Sequence, residues 1–432
     1  MTSITQSLSH APFLNAAKSD PFLNDAKSSL FKSLKLAGKE ISPIVQGGMG
    51  VGVSAHRLAG AVARENAMGT IASIDLRHHH PDLMEQTDHC RDRDLIDRVN
   101  LIALDREIKA ARLASEGRGL IAVNVMKAVR EHPALVRQTC ESGADVLVMG
   151  AGLPIDLPEM VANYPKIALV PILSESRGVA IVMKKWLKKG CCPDAIVIEH
   201  PGLAGGHLGA AKVEDLHSPR FEFETVLLEC QQLFAELGLG KDAPPLILAG
   251  GIDSHEKVRH WLGAGASAVQ LGTAFAVTQE GDAHIDFKRV LIGANPQELT
   301  EFVSVAGLPA RAVATHWLQQ YQRHEPRMQA CAKADPLRCA QRADCLTHCG
   351  LRDGNSRVGQ FCIDTKLVSA LNGDVKKGLF FRGAGMLPFG KEIRPVRELL
   401  QYLLTGIMPA DLRTDDACDL LASLNMLSAQ AV

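Results

Sequence analysis

Hydrophobic residues along this chain fall into short runs, and most of these runs have no polar face. Such runs are typical of parallel β-strands that are covered on both sides by other structure. From residue 44 onward they predict strands at 44–46, 69–74, 120–124, 144–149, 167–172, 195–199, 246–249 and 268–271.

Amphipathic stretches lie between the predicted strands, and most of them end at a glycine, the usual helix stop. They predict helices at 55–65, 101–114, 133–142, 178–189, 223–237 and 254–262. Eight strands that alternate with helices are the count of an α/β fold of the (β/α)8 TIM-barrel type. A doubly wound open sheet is the competing fold, but the even strand count and the lack of an early GxGxxG motif favour the barrel.

The positions of these predicted strands and helices divide the chain into three parts. Residues 1–40 mix short apolar clusters with Ser, Lys and Asn and are expected to form a loosely attached N-terminal arm. Residues 41–314 carry the barrel, and residues 315–432 form a loop-rich and helical C-terminal extension that contains cysteines. Within it, 396–405 predicts a closing amphipathic helix. The glycine-rich segment 376–390 is expected either to fold over the barrel mouth or to form a subunit contact.

Composition narrows the classes of partner. The 432 residues are 46% hydrophobic and 22% charged, the balance of an ordinary globular protein. A formal net charge of -1 gives no basic surface for nucleic acid or for a membrane. No apolar run is long enough to span a bilayer, and the N-terminus lacks the order of a signal peptide. We therefore expect a cytoplasmic protein with a small-molecule substrate, and a homo-oligomer is compatible with this composition.

The stretch 195–209 carries the strongest chemical signal. A buried strand breaks there into a glycine-rich loop that leads to His207. Gly205 and Gly206 have no Cβ where the chain turns, so a flat ligand can lie against bare backbone with the imidazole beside it. The alternative is a tight turn followed by a hydrogen-bonded surface histidine.

Glycine loops also follow the last two predicted strands. The pair 250–251 follows the seventh strand, and Gly272 follows the eighth. In barrels of this type the loops after the strands carry the active site, and these two consecutive loops usually bind a phosphate through backbone N–H groups. Asp253 and Ser254 are expected to cap the helix that follows the first of these loops.

Several motifs occur along the chain in the order PIVQGGMGVGVS, the strand that ends at Asn124, AGGHLG, LAGGI and QLGTAF. As a set they resemble the FMN-dependent nitronate monooxygenase family. This family was formerly called 2-nitropropane dioxygenase and also contains flavin enoyl-ACP reductases. The later segment VAGLPARAV, residues 305–313, resembles a further family element, so the likeness covers roughly residues 41–313.

The resemblance implies an FMN site at the carboxyl ends of the strands. Asn124 would contact the flavin ring, and Gly205 would give a backbone contact beside it. Gly251 and residues 270–273 would hold the ribityl phosphate, and His207 matches the catalytic base. The implied cofactor-binding residues are Met49, Asn124, His200, Gly205, Gly206, Gly250, Gly251, Gln270, Leu271, Gly272 and Thr273.

Two positions depart from the family pattern and bear on the environment of the ring. His200 stands where relatives carry a glutamine near the flavin, and Leu208 replaces a common basic residue. The resemblance therefore implies a shared cofactor but does not fix the substrate.

The implied chemistry offers several reactions for one histidine. Oxidation of a nitroalkane by O2 to a carbonyl compound and nitrite first requires loss of the proton next to the nitro group, and a neutral imidazole is a natural base for that step. An alkyl nitronate arrives already deprotonated, and His207 would then orient it. In an NAD(P)H-dependent reductase of enoyl thioesters or quinones, NAD(P)H would dock transiently over the flavin. A flavin-binding barrel with a partner or regulatory role is a further alternative.

The C-terminal extension concentrates cysteines. The chain has 11 cysteines, and four of them have the spacing Cys339-x5-Cys345-x3-Cys349-x12-Cys362. Four thiolates suit a [4Fe-4S] cluster or a structural zinc. An iron–sulfur cluster would favour the hypothesis of an NAD(P)H-dependent reductase. The last three spacings resemble the cluster loop of 2,4-dienoyl-CoA reductase-type flavoenzymes. Reduced cysteines scattered through an irregular appendage are the alternative.

A second histidine-rich stretch invites a metal interpretation. Residues 77–80 read RHHH, and His89 and Cys90 follow. Consecutive histidines rarely converge on one ion, so we expect a polar loop after the second strand instead.

Overall fold

The structure is a computed structural model, and it describes residues 31–88, 90–335, 339 and 345–409. Its strands are β1 (Leu34–Leu36), β2 (Lys39–Ile41), β3 (Ile44–Gln46), β4 (Met68–Ala72), β5 (Leu120–Met126), β6 (Val146–Gly150), β7 (Ala168–Leu173), β8 (Ile196–Glu199), β9 (Gly206–His207), β10 (Leu246–Ala249), β11 (Ala268–Leu271), β12 (Leu299–Val303) and β13 (Pro309–Val313). A closed parallel barrel forms in the order β3-β4-β5-β6-β7-β8-β10-β11. The barrel predicted from the apolar runs is confirmed.

The helices are α1 (His56–Arg64), α2 (Pro81–Thr87), α3 (Arg93–Ala114), α4 (His132–Glu141), α5 (Leu157–Met160), α6 (Ser176–Leu187), α7 (Phe223–Glu236), α8 (His255–Gly263), α9 (Thr273–Ala276), α10 (Ile285–Gly293), α11 (His316–Ala330), α12 (Gly350–Asp353), α13 (Ile363–Leu371) and α14 (Val396–Thr405). The predicted helices are confirmed, but α3 begins well before residue 101. Its start is set by Asp92, whose carboxylate accepts hydrogen bonds from the backbone N–H groups of Asp94 and Leu95.

Side chains of each barrel strand alternate between the interior of the barrel and the surrounding helices. In β8, Ile196 and Ile198 pack among the helix residues, whereas Val197 packs with the residues that fill the barrel. This alternation is the ordinary period of a strand. As a result, the side chain of Glu199 points into the barrel and the side chain of His200 points to its outer side.

The strands β1 and β2 pair as a hairpin that packs against the barrel filling. Leu34, Leu36 and Ile41 are 2%, 4% and 0% exposed and join the same interior cluster as Val45 and Met68. Because the hairpin leads directly into β3, it lies at the amino end of the barrel. Residues 34–41 therefore differ from the loosely attached arm expected from the sequence, and residues 1–30 lie outside the described part.

The C-terminal helix α14 completes the ring of helices around the barrel. The helix that directly follows β11, α9, is only one turn long, and α14 packs between α8 and α1. Leu399, Leu400 and Leu403 are buried in the same core as the other ring helices. The division of the chain at residues 40 and 314 stays a prediction, and the described residues on both sides of 41–314 pack on the barrel.

A small antiparallel sheet lies beside the barrel mouth. It consists of β12, β13 and β9, with Ala310 opposite His207 and Arg311 opposite Gly206. Residues 309–313 therefore hold the loop that carries His207. No helix in the described part of the chain is long and apolar enough to cross a membrane.

Candidate active site

A cavity of about 290 Å³ opens at the carboxyl ends of the barrel strands. Loops after β3, β8, β10 and β11 form its walls together with a C-terminal segment. The residues expected at a cofactor that line it are Met49, Asn124, Gly205, Gly206, Gly250, Gly251, Gln270, Leu271, Gly272 and Thr273, and His207 joins them. Residues from five separate parts of the barrel thus meet in one space.

His200 is the expected cofactor residue that the structure does not bring to this cavity. Its imidazole is buried on the outer side of β8, where Nδ1 accepts a hydrogen bond from the backbone N–H of Gly202 and the ring meets Phe223 edge-on. The physical reason is strand alternation, since the neighbouring Glu199 takes the inward position. Leu208, the other departure from the family pattern, is 1% exposed and packs in a small apolar cluster.

The cavity floor is the last inward-facing layer of the barrel. It carries three polar side chains, those of Asn124, Glu199 and Gln270. The loop after β3 crosses close above them, because a Cβ built on Gly48 would lie 2.5 Å from the Cβ of Asn124 and one on Gly47 would lie 3.1 Å from Gln270. The floor therefore offers hydrogen-bonding groups beneath a loop that has no room for side chains.

His207 lies in the cavity wall on β9 and is partly buried. Its Nε2 is 3.0 Å from the hydroxyl oxygen of Ser304, and the ring of Phe381 packs edge-on at 5.6 Å between centroids. Burial lowers the pKa of His207 to about 4, because the charged imidazolium loses its hydration there. The imidazole is therefore neutral near pH 7 and held in one orientation.

Arg311 of β13 holds the loop that leads to His207 through hydrogen bonds to its backbone. The guanidinium is 3% exposed, donates to the backbone carbonyls of Pro201 and Ala204, and pairs with the carboxylate of Glu301 on β12. This contact explains why the segment 305–313 accompanies the AGGHLG motif in the sequence.

The glycine loop after β10 turns through conformations that other residues rarely adopt. Gly250 and Gly251 have φ values of 110° and 67°, which favour glycine. Ser254 caps α8 as predicted, its hydroxyl accepting from the backbone N–H of Lys257. The prediction that Asp253 also caps this helix is wrong. Its carboxylate pairs with the Lys257 ammonium at 2.8 Å and accepts a hydrogen bond from the backbone of the C-terminal segment.

Residues 381–386, which we call the strap, cross the mouth of the barrel. The backbone N–H of Gly383 donates to the hydroxyl of Thr273 at 3.1 Å, and that of Ala384 donates to the carbonyl of Leu203 at 3.0 Å. A Cβ built on Gly205 would lie only 2.5 Å from the backbone of Arg382 and Gly383. The glycine at 205 is thus required by the strap itself. Of the two alternatives expected for 376–390, the structure shows the first, since residues 381–386 of this segment lie over the barrel mouth.

The strap also brings a positive charge to the cavity. Arg382 lines it, is 3% exposed, and donates from Nε to the carbonyl of Leu291 near the end of α10. Burial lowers the pKa of this guanidinium, which nevertheless stays charged.

The four cysteines of the predicted metal site lie near one another. Burial raises the pKa of the Cys345 thiol, and the charges of Asp364, Cys362, Cys339 and Cys349 act in the same direction. Within residues 31–88, 90–335, 339 and 345–409, no group of three or more His, Cys, Asp or Glu side chains is arranged to hold a metal ion. The metal hypothesis therefore rests on the sequence spacing and on the proximity of the four cysteines, and not on a formed ligand set among the described residues.

The histidines at 78–80 point to three different partners. His78 lies 2.9 Å from the carboxylate of Asp75, and His79 lies 2.8 Å from the carbonyl of Gly52. His80 is 3.0 Å from the buried carboxylate of Glu107. The run does not converge on one point, in agreement with the polar-loop interpretation, and His89 lies outside the described residues.

Sequence reasoning missed several side chains that shape the site. Glu199 had a readable signal, because it is a carboxylate at the carboxyl end of an otherwise apolar strand. No local signal linked Ser304, Arg311 or Phe381 to His207, since each reaches the His207 loop from a distant part of the chain.

Comparison with known proteins agrees with this geometry. Residues 32–406 match the model of the family described as nitronate monooxygenase. A probable nitronate monooxygenase of Bacillus subtilis is 26% identical over 309 residues, which cover 66% of this chain and 79% of that protein. A nitronate monooxygenase of Pseudomonas aeruginosa is 26% identical over 297 residues, which cover 63% of this chain and 76% of that protein.

Solved structures show the same fold. FabK from Thermotoga maritima superimposes with a TM-score of 0.56 at 20% identity, covering 84% of this chain and 91% of that chain. Nitroalkane oxidase from Streptomyces ansochromogenes gives a TM-score of 0.56 at 20% identity, covering 84% and 94%. At these identities the structures support the fold alone.

Proposed function

The chain belongs to the nitronate monooxygenase family of flavin-dependent oxidoreductases, and from this premise we propose that it binds FMN at the barrel mouth. The proposed reaction is oxidation of alkyl nitronates or nitroalkanes by O2 to carbonyl compounds and nitrite.

The floor of the cavity and its two glycine loops support the proposal that FMN binds there. The amides of Asn124 and Gln270 offer both donors and acceptors to the polar edge of a flavin ring. Gly251 and Gly272 expose backbone next to the Thr273 hydroxyl, which suits a phosphate. FMN supplies the capacity to accept an electron pair from the substrate and to pass it on to oxygen.

His207 supplies proton handling in this proposal. A neutral nitroalkane must lose the proton on the carbon next to the nitro group, and that proton passes to the imidazole while the electron pair moves onto the nitro group. Ser304 fixes the ring from Nε2. The Nδ1 atom makes no hydrogen bond to the residues that the structure describes, so it is the nitrogen that we assign as the proton acceptor. The imidazolium formed is offset by the negative charge of the new nitronate.

An apolar part of the cavity wall suits an alkyl group. Ile363 and Leu367 from α13 line the same cavity as His207, together with Leu346 and Phe381. A small nitroalkane can bury its chain against these side chains and leave the reacting carbon near the imidazole.

The observation that carries the proposal is a neutral, oriented imidazole in the same cavity as both glycine loops. The test is His207→Ala, with His324→Ala on the exposed face of α11 as the matched control. We expect His207→Ala to keep bound FMN and to lower flavin reduction by a neutral nitroalkane about 10²- to 10⁴-fold, the usual contribution of a general base. Reduction by the preformed nitronate should change far less, because no proton has to be removed.

The same stopped-flow experiment separates the competing outcomes. Full retained activity of His207→Ala with the neutral nitroalkane would remove this residue from the mechanism. Rapid anaerobic bleaching of the flavin by NADH or NADPH, with no reduction by nitronate, would replace the proposal with an NAD(P)H-dependent reductase.

A further inference from the structure

Glu199 lines the floor of the cavity for a structural reason. It is the last residue of β8 and lies beside Ala249 of β10 in the barrel register. Since Val197 faces the barrel interior, the side chain two residues later faces the same way. The carboxyl group therefore enters the cavity from below, in the same layer as the amides of Asn124 and Gln270.

The environment of this carboxyl is unusual among the acidic groups of the site. Across the residues that the structure describes, it makes no hydrogen bond and no ion pair, whereas Asp253 nearby is paired with Lys257. Burial raises the pKa of Glu199 to about 7, because the ionised form is poorly hydrated there. A carboxyl placed this way changes its charge near neutral pH.

Other titratable and charged groups face the same space from each surrounding element. They are His207 on β9, Asp253 after β10, Asp364 on α13, Cys345 before α12 and Arg382 on the strap. None of them is an ion-pair partner of Glu199 in the described residues. A partly buried carboxyl group with no partner, on the floor of a ligand cavity, has no evident structural role.

We propose that Glu199 exchanges a proton in step with the redox state of the bound flavin and thereby adds to the pH dependence of the flavin potential. This inference rests on the FMN binding proposed above. Two-electron reduction of FMN bound in this cavity, with uptake of one proton, would add one negative charge to the site. The Glu199 carboxylate on the cavity floor would then take one proton from solvent, because two nearby negative charges repel each other.

The proposal predicts a measurable proton count. In a pH window that begins near the pKa of Glu199 and extends above it, reduction should consume one proton more for each electron pair than it does outside that window. The midpoint potential of the flavin, plotted against pH, should therefore bend at the edges of this window.

The experiment is an anaerobic redox titration of the FMN-loaded protein with dithionite and a reference dye, from about pH 5.5 to about pH 9. Glu199→Gln removes the titrating proton with almost no change in shape, and Glu199→Asp keeps an acid. Glu224→Gln, at an exposed carboxylate on α7, is the matched control. Absorbance of the oxidised flavin across the same pH range gives a second readout that does not depend on turnover.

We expect the bends of this window at the same pH in the wild-type protein and in Glu224→Gln, displaced in pH in Glu199→Asp, and absent in Glu199→Gln. At the alkaline end of the range we compare the ratio of the affinities for reduced and oxidised FMN. This ratio should be about tenfold or more higher in Glu199→Gln than in the wild type, because a shift of one pKa unit corresponds to a factor of ten. The flavin absorbance should titrate near pH 7 in the wild type and stay constant in Glu199→Gln.

A bend of the same size and position in Glu199→Gln would overturn the inference. If Glu199→Gln does not retain FMN, Glu199→Asp decides: a bend displaced in pH supports the role, and a bend at the wild-type pH overturns it. Failure of the wild-type protein to bind FMN would instead refute the proposed function, so the two failures are distinguishable.

Discussion

Replacement of Gly205 by alanine tests whether the strap is anchored by close backbone contact. The added Cβ would lie 2.5 Å from the carbonyl carbon of Arg382 and from the nitrogen of Gly383, whereas ordinary contacts begin near 3.4 Å. Both neighbours are backbone atoms, so no side chain can rotate away. The strap must therefore move by about 1 Å to reach an optimal separation.

This displacement has a predictable free-energy cost. It breaks or lengthens the hydrogen bonds from Gly383 to Thr273 and from Ala384 to Leu203. Each such bond contributes about 0.5–1.5 kcal/mol, so the strap should lose about 1–3 kcal/mol, which is also the usual cost of overpacking. Since 1.4 kcal/mol is a factor of ten, opening of the strap should become about 5- to 150-fold more frequent.

Hydrogen exchange followed by mass spectrometry measures this opening directly. Peptides that contain residues 381–386 should exchange faster by that factor in Gly205→Ala, while peptides from β4 and β5 stay unchanged. Gly293→Ala is the matched control, because a Cβ at the end of α10 would meet nothing within 4 Å. Equal exchange of the strap in both variants and in the wild type would refute the close-contact argument.

The remaining predictions concern the support and the charge of the His207 loop. Ser304→Ala should lower kcat with a nitroalkane about fivefold without loss of FMN, because a hydrogen bond of about 1 kcal/mol no longer orients the His207 ring. Ser304→Thr should restore the rate. An unchanged kcat in Ser304→Ala would contradict the orienting role of Ser304. Arg311→Met should lower the free energy of unfolding in urea by about 3 kcal/mol, because Glu301 and two backbone carbonyls lose their partner. Arg289→Met, at an exposed arginine that pairs with Asp286, is the control. Equal urea midpoints for the two variants would argue against the support role of Arg311. Since the pKa of His207 is about 4 when folded against an ordinary 6.5, the unfolded state binds more protons between these values, and stability should rise as pH increases from about 4 to about 6.5. His207→Gln should flatten that rise in the apoprotein, and an identical pH slope in urea midpoints would show that the group is not responsible.

Local pattern was sufficient for the barrel because each of its strands is buried on both sides and reads as a short apolar run. The same pattern placed Asn124, Gln270 and the glycine loops at the mouth, since loops after barrel strands always meet at one end. It was less reliable at the end of β8. The resemblance favoured His200 as the polar residue of the site, and alternation along the strand gives that position to Glu199.

The number and direction of the barrel strands and the set of loops around the cavity could be predicted before the fold was known, because they follow from hydrophobic periodicity over a few residues. Three other features became apparent only in the folded chain: α14 completes the helical ring, β13 holds the His207 loop, and the strap covers Gly205. Each of these contacts joins residues roughly a hundred or more positions apart. Contacts of that kind leave no periodic trace in a single sequence, because either partner alone resembles ordinary helix, strand or loop.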